Sequence, residues 1–408
     1  MRFGLDRMRR MMTVLGSPEQ RLAAVHVLGT NGKTSTTKMI AAILQRHGLR
    51  TASYTSPHLI SYTERLQIEE RELEPADFAA AIAQASAAAE RVNRTLAEDD
   101  HVTQFELLTA AALWEMDRRA VEVAVVEAGL GGRYDATSVI GARVTVLTSV
   151  GLEHTRWLGP TVTDIAEEKL AVVAPGATLV LGPGLPAEAL AVAERVAGER
   201  QARVLRPQPQ EGMPALRARG AFQQRNFAVA AAAAEAYLRD VGIALEEGAL
   251  AQAAAEIEVP GRLQLLGGEP PTLIDSAHNP DAISALVESL PAVLPPGPLA
   301  LVMGVLDDKD AAAMLGMLLP LCERAWFTAP RSSRALSPAA LQSLARQLGF
   351  SEIACEPRPE RALSAARAWA LEHGGCVLAT GSVYLAGDLL AAAGFSATLT
   401  PSRRQSNR

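Results

Sequence analysis

The residues best suited to chemistry in this chain lie in a glycine-rich turn at 29–35, between an apolar run and a helical pattern. Backbone N–H groups of such a turn, and the positive end of the following helix dipole, favour a bound phosphate. Lys33 would add a charge for the outer phosphates, and the hydroxyl of Thr34 or Ser35 could reach a phosphate oxygen or Mg²⁺. The turn therefore predicts a nucleoside triphosphate site.

The spacing of this turn is shorter than the common phosphate-loop pattern, in which a glycine would stand at position 27. Val27 occupies that position, and the first glycine is Gly29. A strand before the turn and a helix after it favour phosphate binding. The alternative is an ordinary strand-to-helix turn with a solvated lysine.

Polar side chains also follow later predicted strands, where open parallel sheets bind their ligands. Glu127 ends an apolar strand and Ser56 follows another, and both offer the hard oxygen atoms that Mg²⁺ prefers. A solvated carboxylate is the alternative for Glu127. His154 would be an unusual Mg²⁺ ligand, so its pattern alone favours a loop histidine bonded to backbone. Lys169, beside two glutamates, is typical of a solvated helix-face lysine.

A second glycine-rich turn, at 129–132, precedes Arg133 and Asp135. These two side chains could bind an anionic or amide-bearing substrate, or they could pair with each other at the surface. In the second half of the chain, Asp275 and His278 come together at a predicted strand end, and helix capping within a turn is their alternative role. Polar loops at the strand ends of both halves predict a site in the cleft between them.

Apolar runs alternate with longer helical patterns through most of the chain, which predicts βαβ units and mainly parallel sheets covered by helices. The predicted strands are 23–28, 51–54, 122–126, 143–148, 177–181 and 203–205, then 272–274, 299–303, 324–327, 352–355 and 376–379. A Pro-rich loop at 207–214 and Ala-rich helices at 226–238 and 246–257 separate the two series. We expect an N-terminal domain over 1–259, a smaller C-terminal α/β domain over 260–399 and a disordered tail at 400–408.

Length and composition agree with two globular domains, because 408 residues exceed one compact core and 49% of them are hydrophobic. A net charge of −6 argues against a nucleic-acid surface. The three cysteines are far apart and are expected to be buried in a reducing compartment. The arginines within 1–16 predict an amphipathic helix instead of a signal peptide, and no apolar span reaches membrane length. We therefore expect a cytoplasmic protein that binds neither nucleic acid nor membrane.

The ordered motifs of the chain resemble those of the folylpolyglutamate synthase/dihydrofolate synthase family of the Mur ligase superfamily. The resemblance extends over nearly the full length and implies a P-loop-type, mainly parallel sheet domain followed by a Rossmann-like α/β domain. The matching segments are 29–35, 56–59, 64–65, 105–109, 127–137, 154–155, 158–159, 169, 260–262, 275–280, 304, 308–310 and 381–385.

The resemblance implies an ATP-dependent amide ligase. A substrate carboxylate attacks the γ-phosphate to give an acyl phosphate, an amine attacks the acyl carbon, and phosphate leaves. Cations and backbone N–H groups must offset the repulsion between the two anions. The implied reaction adds L-glutamate to dihydropteroate, to folylpoly-γ-glutamate or to both. One or two Mg²⁺ ions are expected, a monovalent cation is a further candidate cofactor, and the implied enzyme is a monomer.

The resemblance also implies roles for individual residues. Lys33 holds the β- and γ-phosphates, and Lys169 is the carbamylated lysine that supports a second metal ion. The implied ATP contacts are Thr30, Asn31, Gly32, Lys33, Thr34, Ser35, Asn226, Arg262 and Asp275. The implied Mg²⁺ ligands are Ser56, Glu127 and His154. The implied substrate contacts are Thr103, Gln104, Phe105, Arg133, Tyr134, Asp135 and Ala136 on the pterin side, and His278 and Ser382 on the glutamate side. The implied catalytic set is Lys33, Lys169, Asp275 and His278.

One position departs from the family pattern, because Thr34 stands where the family usually has glycine. Thr34 would crowd the phosphates or supply an additional hydroxyl, and it resembles the peptidoglycan branch of the superfamily. Those ligases need a uridine-nucleotide domain before the loop, and 28 residues precede Gly29, so we do not expect that branch. The remaining alternatives are a ligase for a different carboxylic acid and a nucleotide-binding switch that forms no amide.

Overall fold

The computed structural model describes residues 4–209 and 212–395, so the tail predicted at 400–408 lies outside the described residues. Two sheets organise this part of the chain. The strands of the first sheet are β1 (Ala23–Leu28), β2 (Thr51–Tyr54), β3 (Leu66–Ile68), β4 (Arg71–Glu72), β5 (Val123–Glu127), β6 (Ala142–Leu147), β7 (Thr178–Leu181) and β8 (Arg203–Leu205). Their spatial order is β4-β3-β2-β5-β1-β6-β7-β8, parallel except for the antiparallel edge formed by β3 and β4.

Helices cover both faces of the first sheet. They are α1 (Asp6–Val14), α2 (Lys33–Arg46), α3 (Pro75–Asn93), α4 (Gln104–Arg118), α5 (Thr155–Leu158), α6 (Val162–Leu170), α7 (Ala187–Arg200), α8 (Ala221–Asp240) and α9 (Glu247–Glu256). Val25 and Val27 of β1 pack with α2, α8 and α9, whereas Ala24 faces the cluster that contains α1, α3 and α4. Because both faces are buried, the strand is apolar apart from His26, whose Nε2 lies 2.8 Å from Thr137 Oγ1.

The second sheet repeats this arrangement on a smaller scale. Its strands are β9 (Gln264–Leu266), β10 (Thr272–Ile274), β11 (Leu299–Met303), β12 (Arg324–Phe327), β13 (Ile353–Cys355) and β14 (Cys376–Thr380), in the order β13-β12-β11-β14-β10-β9. Only β9 is antiparallel to its neighbour. One face packs with α10 (Pro280–Val293), α11 (Ala311–Leu318) and α12 (Pro338–Gln347), and the other with α13 (Pro359–Glu372) and α14 (Val383–Ala392).

The predicted α/β fold with two mainly parallel sheets is confirmed. Strands β3, β4 and β9 were not predicted, because two or three residues at an antiparallel edge are too few for a hydrophobic period. Helix α8 begins at Ala221 instead of at 226. Among the cysteines, Cys355 is exposed on edge strand β13, so the expectation that all three are buried is wrong. No described helix combines the length and the apolarity needed to cross a membrane.

Candidate active site

A cavity of about 340 Å³ lies between the two sheets, lined by residues that follow β1, β2, β5 and β6 on one side and β10 on the other. Many of the residues singled out in the sequence line this cavity. They are Thr30, Asn31, Gly32, Lys33, Thr34, Ser35, Ser56, Glu127, His154, Lys169, Asn226, Arg262, Asp275 and His278. The strand ends therefore bring together residues that are more than half the chain apart, such as Thr30 and His278.

The phosphate loop has the backbone geometry that an anion site needs. Gly32, at φ +83°, precedes α2 and contributes no side-chain cap, so the first N–H groups of the helix face no capping oxygen. A Cβ at Gly32 would lie 2.7 Å from Asn226 Oδ1, so only glycine fits there. In this structure Lys33 Nζ donates to the carbonyl oxygens of Gly29 and Thr30, each at 3.1 Å. The Lys33 ammonium group therefore lies at the phosphate loop and is hydrogen-bonded to it.

The end of β6 braces this loop through two residues that the sequence analysis did not single out. Ser149 Oγ accepts from the Asn31 N–H at 2.8 Å, and Thr148 Oγ1 donates to the Asn31 carbonyl at 2.6 Å. The Ser149 carbonyl also accepts from the Thr30 N–H. The sequence pattern that could have identified Thr148 and Ser149 is a pair of adjacent hydroxyl residues at the end of a predicted strand.

Glu127 provides a buried carboxylate at the floor of the cavity. It is 1% exposed and accepts hydrogen bonds from Thr34 Oγ1, at 2.9 and 3.0 Å, and from the Ser56 N–H at 3.2 Å. Burial raises the pKa of this carboxyl, and the charge of Lys33 opposes that rise. The interpretation of Glu127 as a solvated carboxylate is therefore wrong.

The same contact locates Thr34, the residue that departs from the family pattern. Of the two expectations for Thr34, crowding of the phosphates or an additional hydroxyl, the structure has the hydroxyl donating to the Glu127 carboxylate. A carboxylate and a threonine hydroxyl together make a small set of hard oxygen atoms.

Lys169 is buried, so its interpretation as a solvated lysine is wrong. The side chain leaves α6 and its Nζ donates to the Gly29 carbonyl at 3.0 Å. Burial, and then the nearby charge of Lys33, lower the pKa of this amine to about 7. Near neutral pH a substantial part of Lys169 is therefore an uncharged amine.

His154 lines the cavity at the start of α5, and its backbone has φ +56°. This left-handed conformation is uncommon for a residue with a side chain. Burial lowers the pKa of the imidazole, which keeps the ring neutral and able to act as a ligand.

On the other wall, Asp275 orders the turn that follows β10. Its carboxylate accepts from the N–H groups of Leu263, at 2.8 Å, and Ala277, at 2.7 Å. Burial raises its pKa, and Arg262 opposes that rise. His278 Nδ1 lies 2.9 Å from the Ser276 carbonyl, and burial lowers the imidazole pKa to about 4. The ring is thus neutral, with Nδ1–H donating to the carbonyl and Nε2 facing the cavity.

The residues expected on the pterin side form two groups, one at 103–105 at the start of α4 and one at 133–136 after the second glycine-rich turn. Thr103 caps α4 in a reciprocal pair with Glu106, which buried Arg7 of α1 also binds. Phe105 packs on Gly129, since a Cβ at that glycine would lie 2.5 Å from the ring. Gln104 is exposed, and its amide donates to the Tyr62 hydroxyl at 3.0 Å. Phe105 thus lies directly behind the glycine turn that lines the cavity.

Asp135 is buried and has an internal role. It accepts from the Leu130 N–H at 2.7 Å and from Thr137 Oγ1 at 2.5 Å, which fixes the second glycine turn. Arg133 is exposed and pairs with Glu168 at 3.4 Å, so the alternative of a surface pair between Arg133 and Asp135 is wrong. Tyr134 is exposed beside them, and Ala136 is buried. Substrate contacts by these residues stay a prediction.

Ser382 is the N-cap of α14, where its hydroxyl accepts from the Tyr384 N–H at 3.1 Å. The side chain is buried, and the adjacent Val383 lines the cavity. A contact of Ser382 with substrate stays a prediction.

Comparison with known proteins agrees with this arrangement. The Mur ligase middle domain matches residues 27–178, and the Mur ligase glutamate ligase domain matches residues 261–383. Folylpolyglutamate synthase from Lacticaseibacillus casei is 35% identical over 82% of this chain and 84% of its own length. Dihydrofolate synthase/folylpolyglutamate synthase from Escherichia coli is 32% identical over 80% and 77%.

Two solved structures have the same fold over nearly the whole chain. Folylpolyglutamate synthase from Mycobacterium tuberculosis, complexed with ADP and AMPPCP, has a TM-score of 0.90 at 30% identity and covers 96% of both chains. FolC from Escherichia coli, in complex with DHPP and ADP, has a TM-score of 0.83 at 28% identity and covers 96% of this chain and 93% of that chain. On sequence, fold and site together, this chain belongs to the folylpolyglutamate synthase/dihydrofolate synthase family of Mur ligases and is an ATP-dependent ligase.

Proposed function

We propose that this ligase joins the amino group of L-glutamate to a pterin-bearing carboxylic acid, which is dihydropteroate, the glutamate tail of a folate, or both. The observation that carries the proposal is the cavity itself, which has a phosphate loop on one wall and the Asp275–His278 turn on the other. The relatives named for these activities, and the FolC complex that contains DHPP, support the choice of substrates.

The first half-reaction needs two anions brought together. The loop N–H groups and Lys33 lie where they can bind the triphosphate and reduce its charge. With the γ-phosphate held in line, an acid carboxylate attacks phosphorus, ADP leaves, and an acyl phosphate results. Arg262 and Asn226, on the same cavity, are the proposed further contacts to ATP.

The residues on the cavity floor fit a hard divalent cation. The Glu127 carboxylate is buried beside the Thr34 hydroxyl, and Mg²⁺ takes few protein oxygen ligands while it keeps water and phosphate oxygens. Glu127, Ser56 and Thr34 would hold the ion, and His154 and Lys169 would face a second one. Bound there, Mg²⁺ would neutralise charge on the triphosphate. A monovalent cation remains part of the proposal without an assigned site.

The second half-reaction needs an uncharged amine. Neutral His278 has its Nε2 lone pair at the cavity, 3.6 Å from Glu153 Oε1, where it can accept a hydrogen bond from the incoming amine and take up its proton as the amide forms. The amine then attacks the acyl carbon, the C–O bond to phosphate breaks, and the amide forms. Asp275 holds the turn that presents His278.

Lys169 is proposed to become a carbamate. Its uncharged amine attacks CO₂, a C–N bond forms and a proton leaves to water, so that an anionic carboxylate replaces a cation beside Lys33. This change would replace the repulsion that a protonated Lys169 feels from the partly buried Lys33 with attraction, and it would add an oxygen ligand to the cavity.

The test is mass spectrometry of the products formed from dihydropteroate and from tetrahydrofolate, each with ATP, Mg²⁺ and L-glutamate. We expect ADP and one added glutamate per cycle with at least one acceptor. If no glutamate-dependent ADP forms with either acceptor, this substrate assignment is overturned, and a screen of other acids in the same assay follows. We further propose that the enzyme acts as a cytoplasmic monomer on small molecules, without nucleic acid or membrane.

A further inference from the structure

The motif at 308–310 places a buried charge across the boundary between the two sheets. Lys309 follows β11 of the second sheet, and its Nζ lies 2.7 Å from Oε1 of Glu153, which follows β6 of the first sheet. The two side chains are 9% and 12% exposed. Lys309 Nζ also lies 3.3 Å from Asp308 Oδ2, so it is the largely buried Glu153 carboxylate that would lose its cation if the contact between the two halves opened.

Glu153 contacts the second sheet at two further points. Asn279 Nδ2 donates to Oε2 of Glu153 at 3.2 Å, and His278 Nε2 lies 3.6 Å from Oε1. One carboxylate thus meets three side chains of the second sheet's half of the chain, of which His278 lines the cavity.

Asn279 extends this connection to the phosphate loop. Its side chain exchanges hydrogen bonds with the Asn31 side chain, at 3.0 and 3.2 Å, and its Oδ1 also caps α10 by accepting from the Ala282 N–H. Asn31 is the loop residue that Thr148 and Ser149 brace. A continuous path of polar contacts therefore runs from Lys309 through Glu153 and Asn279 to the site of the phosphates.

We propose that Glu153 and Lys309 are positioning residues for the ligation. Their ion pair, together with the Asn31–Asn279 pair, holds His278 against the phosphate loop, so that the amine reaches the acyl phosphate. The inference rests on the proposed function for the role of His278 at the amine, while the connection itself depends on no substrate.

A double-mutant cycle tests the pair. Glu153→Gln, Lys309→Met and the combined variant are compared by steady-state kinetics and by ADP binding. The matched control is Glu288→Gln, which removes an exposed ion pair with Arg225 (3.2 Å) that also joins the two halves of the chain. We expect each single change to lower kcat at saturating ATP by ~10-fold or more and to leave ADP affinity within about threefold of the parent. The combined variant should have a kcat no lower than that of the single variants, because both changes remove the same interaction. Glu288→Gln should stay within about twofold of the parent.

A second measurement needs no acid or amine substrate. Amide hydrogen exchange with ADP bound should show faster exchange at 278–283 and 306–311 in Lys309→Met and in the conservative variant Glu153→Asp, and unchanged exchange in Glu288→Gln. A failure of the substrate assignment would leave this result intact. Three results would each overturn the proposal. They are kcat losses that multiply in the combined variant, a tenfold loss of ADP affinity in Lys309→Met alone, and amide exchange no different from that of Glu288→Gln.

Discussion

The two walls of the cavity are built differently. On the phosphate wall, Lys33, Thr34, Glu127 and Lys169 bind one another or the loop carbonyls, all within the first sheet. On the opposite wall, here called the amine wall and formed by the turn at 275–278, Asp275 accepts hydrogen bonds from backbone N–H groups. His278 of that wall lies 3.6 Å from Glu153, which follows a strand of the first sheet. The phosphate wall is therefore organised mainly within the first sheet, with the Asn31–Asn279 pair as its contact with the second, whereas His278 of the amine wall lies against a residue of the first sheet.

This difference separates two kinds of sensitivity. A change on the phosphate wall should harm every step that involves the nucleotide. A change at His278, on the amine wall, should leave nucleotide binding intact and slow the transfer, whereas Arg262 and Asp275 of the same wall are expected to contact ATP as well. The following expectations test that separation.

The largest effect is expected from Glu127→Gln. The amide keeps the shape but loses the charge that would hold a divalent cation between Thr34 and Ser56, so kcat should fall by ~10³-fold. Steady-state ADP release measures it, with the exposed Glu188→Gln on α7 as control. A loss below about tenfold would contradict the assignment of Glu127 to the metal ion.

A smaller loss is expected from His278→Gln, on the amine wall. Glutamine keeps a hydrogen-bonding side chain but cannot take up a proton, so kcat should fall by ~10²-fold. ADP affinity, measured by calorimetry, should stay within about threefold of the parent. A parallel loss of ADP affinity would show that the two walls are not separate in the way described.

Thr34→Val removes one hydroxyl from the phosphate wall at nearly constant volume. The buried Glu127 carboxylate would lose a hydrogen-bond donor, a change of about 1.5–3 kcal/mol that corresponds to a ~30-fold fall in kcat/KM. Thr34→Ser, which keeps the hydroxyl, should lie within about threefold of the parent. Equal losses in both variants would indicate that the methyl group, and not the hydroxyl, matters.

The smallest effect concerns the pH dependence of Lys169. Its lowered pKa, about 7, means that the uncharged amine becomes more abundant as pH rises through 7. After CO₂ is removed, activity should return on its readdition, and at fixed dissolved CO₂ the return should be roughly tenfold faster at pH 8 than at pH 6. A rate independent of pH would contradict the proposed carbamate at Lys169.

Much of the phosphate wall was predictable, and much of its surroundings was not. The turn at 29–35 and Glu127 are identified by an apolar strand that ends in polar residues, a local pattern that one segment carries by itself. Local charge patterning predicted a solvated Lys169. The prediction is wrong because the side chain is buried against the phosphate loop, where it donates to the carbonyl of Gly29, 140 residues away. The pair left open between Arg133 and Asp135 does not form, because Arg133 pairs with Glu168 of α6 while Asp135 accepts from the nearby Leu130 N–H.

The order of strands, turns and helices along the chain was sufficient to predict two mainly parallel sheets, the phosphate loop and the family, since each depends on short segments with their own periodicity. The antiparallel edges, the bracing of Asn31 by Thr148 and Ser149, and the link from Lys309 to Glu153 depend on the packing of segments distant in sequence. The physical reason is that a short strand pairing or a buried charge becomes stable only when another part of the chain supplies its partner.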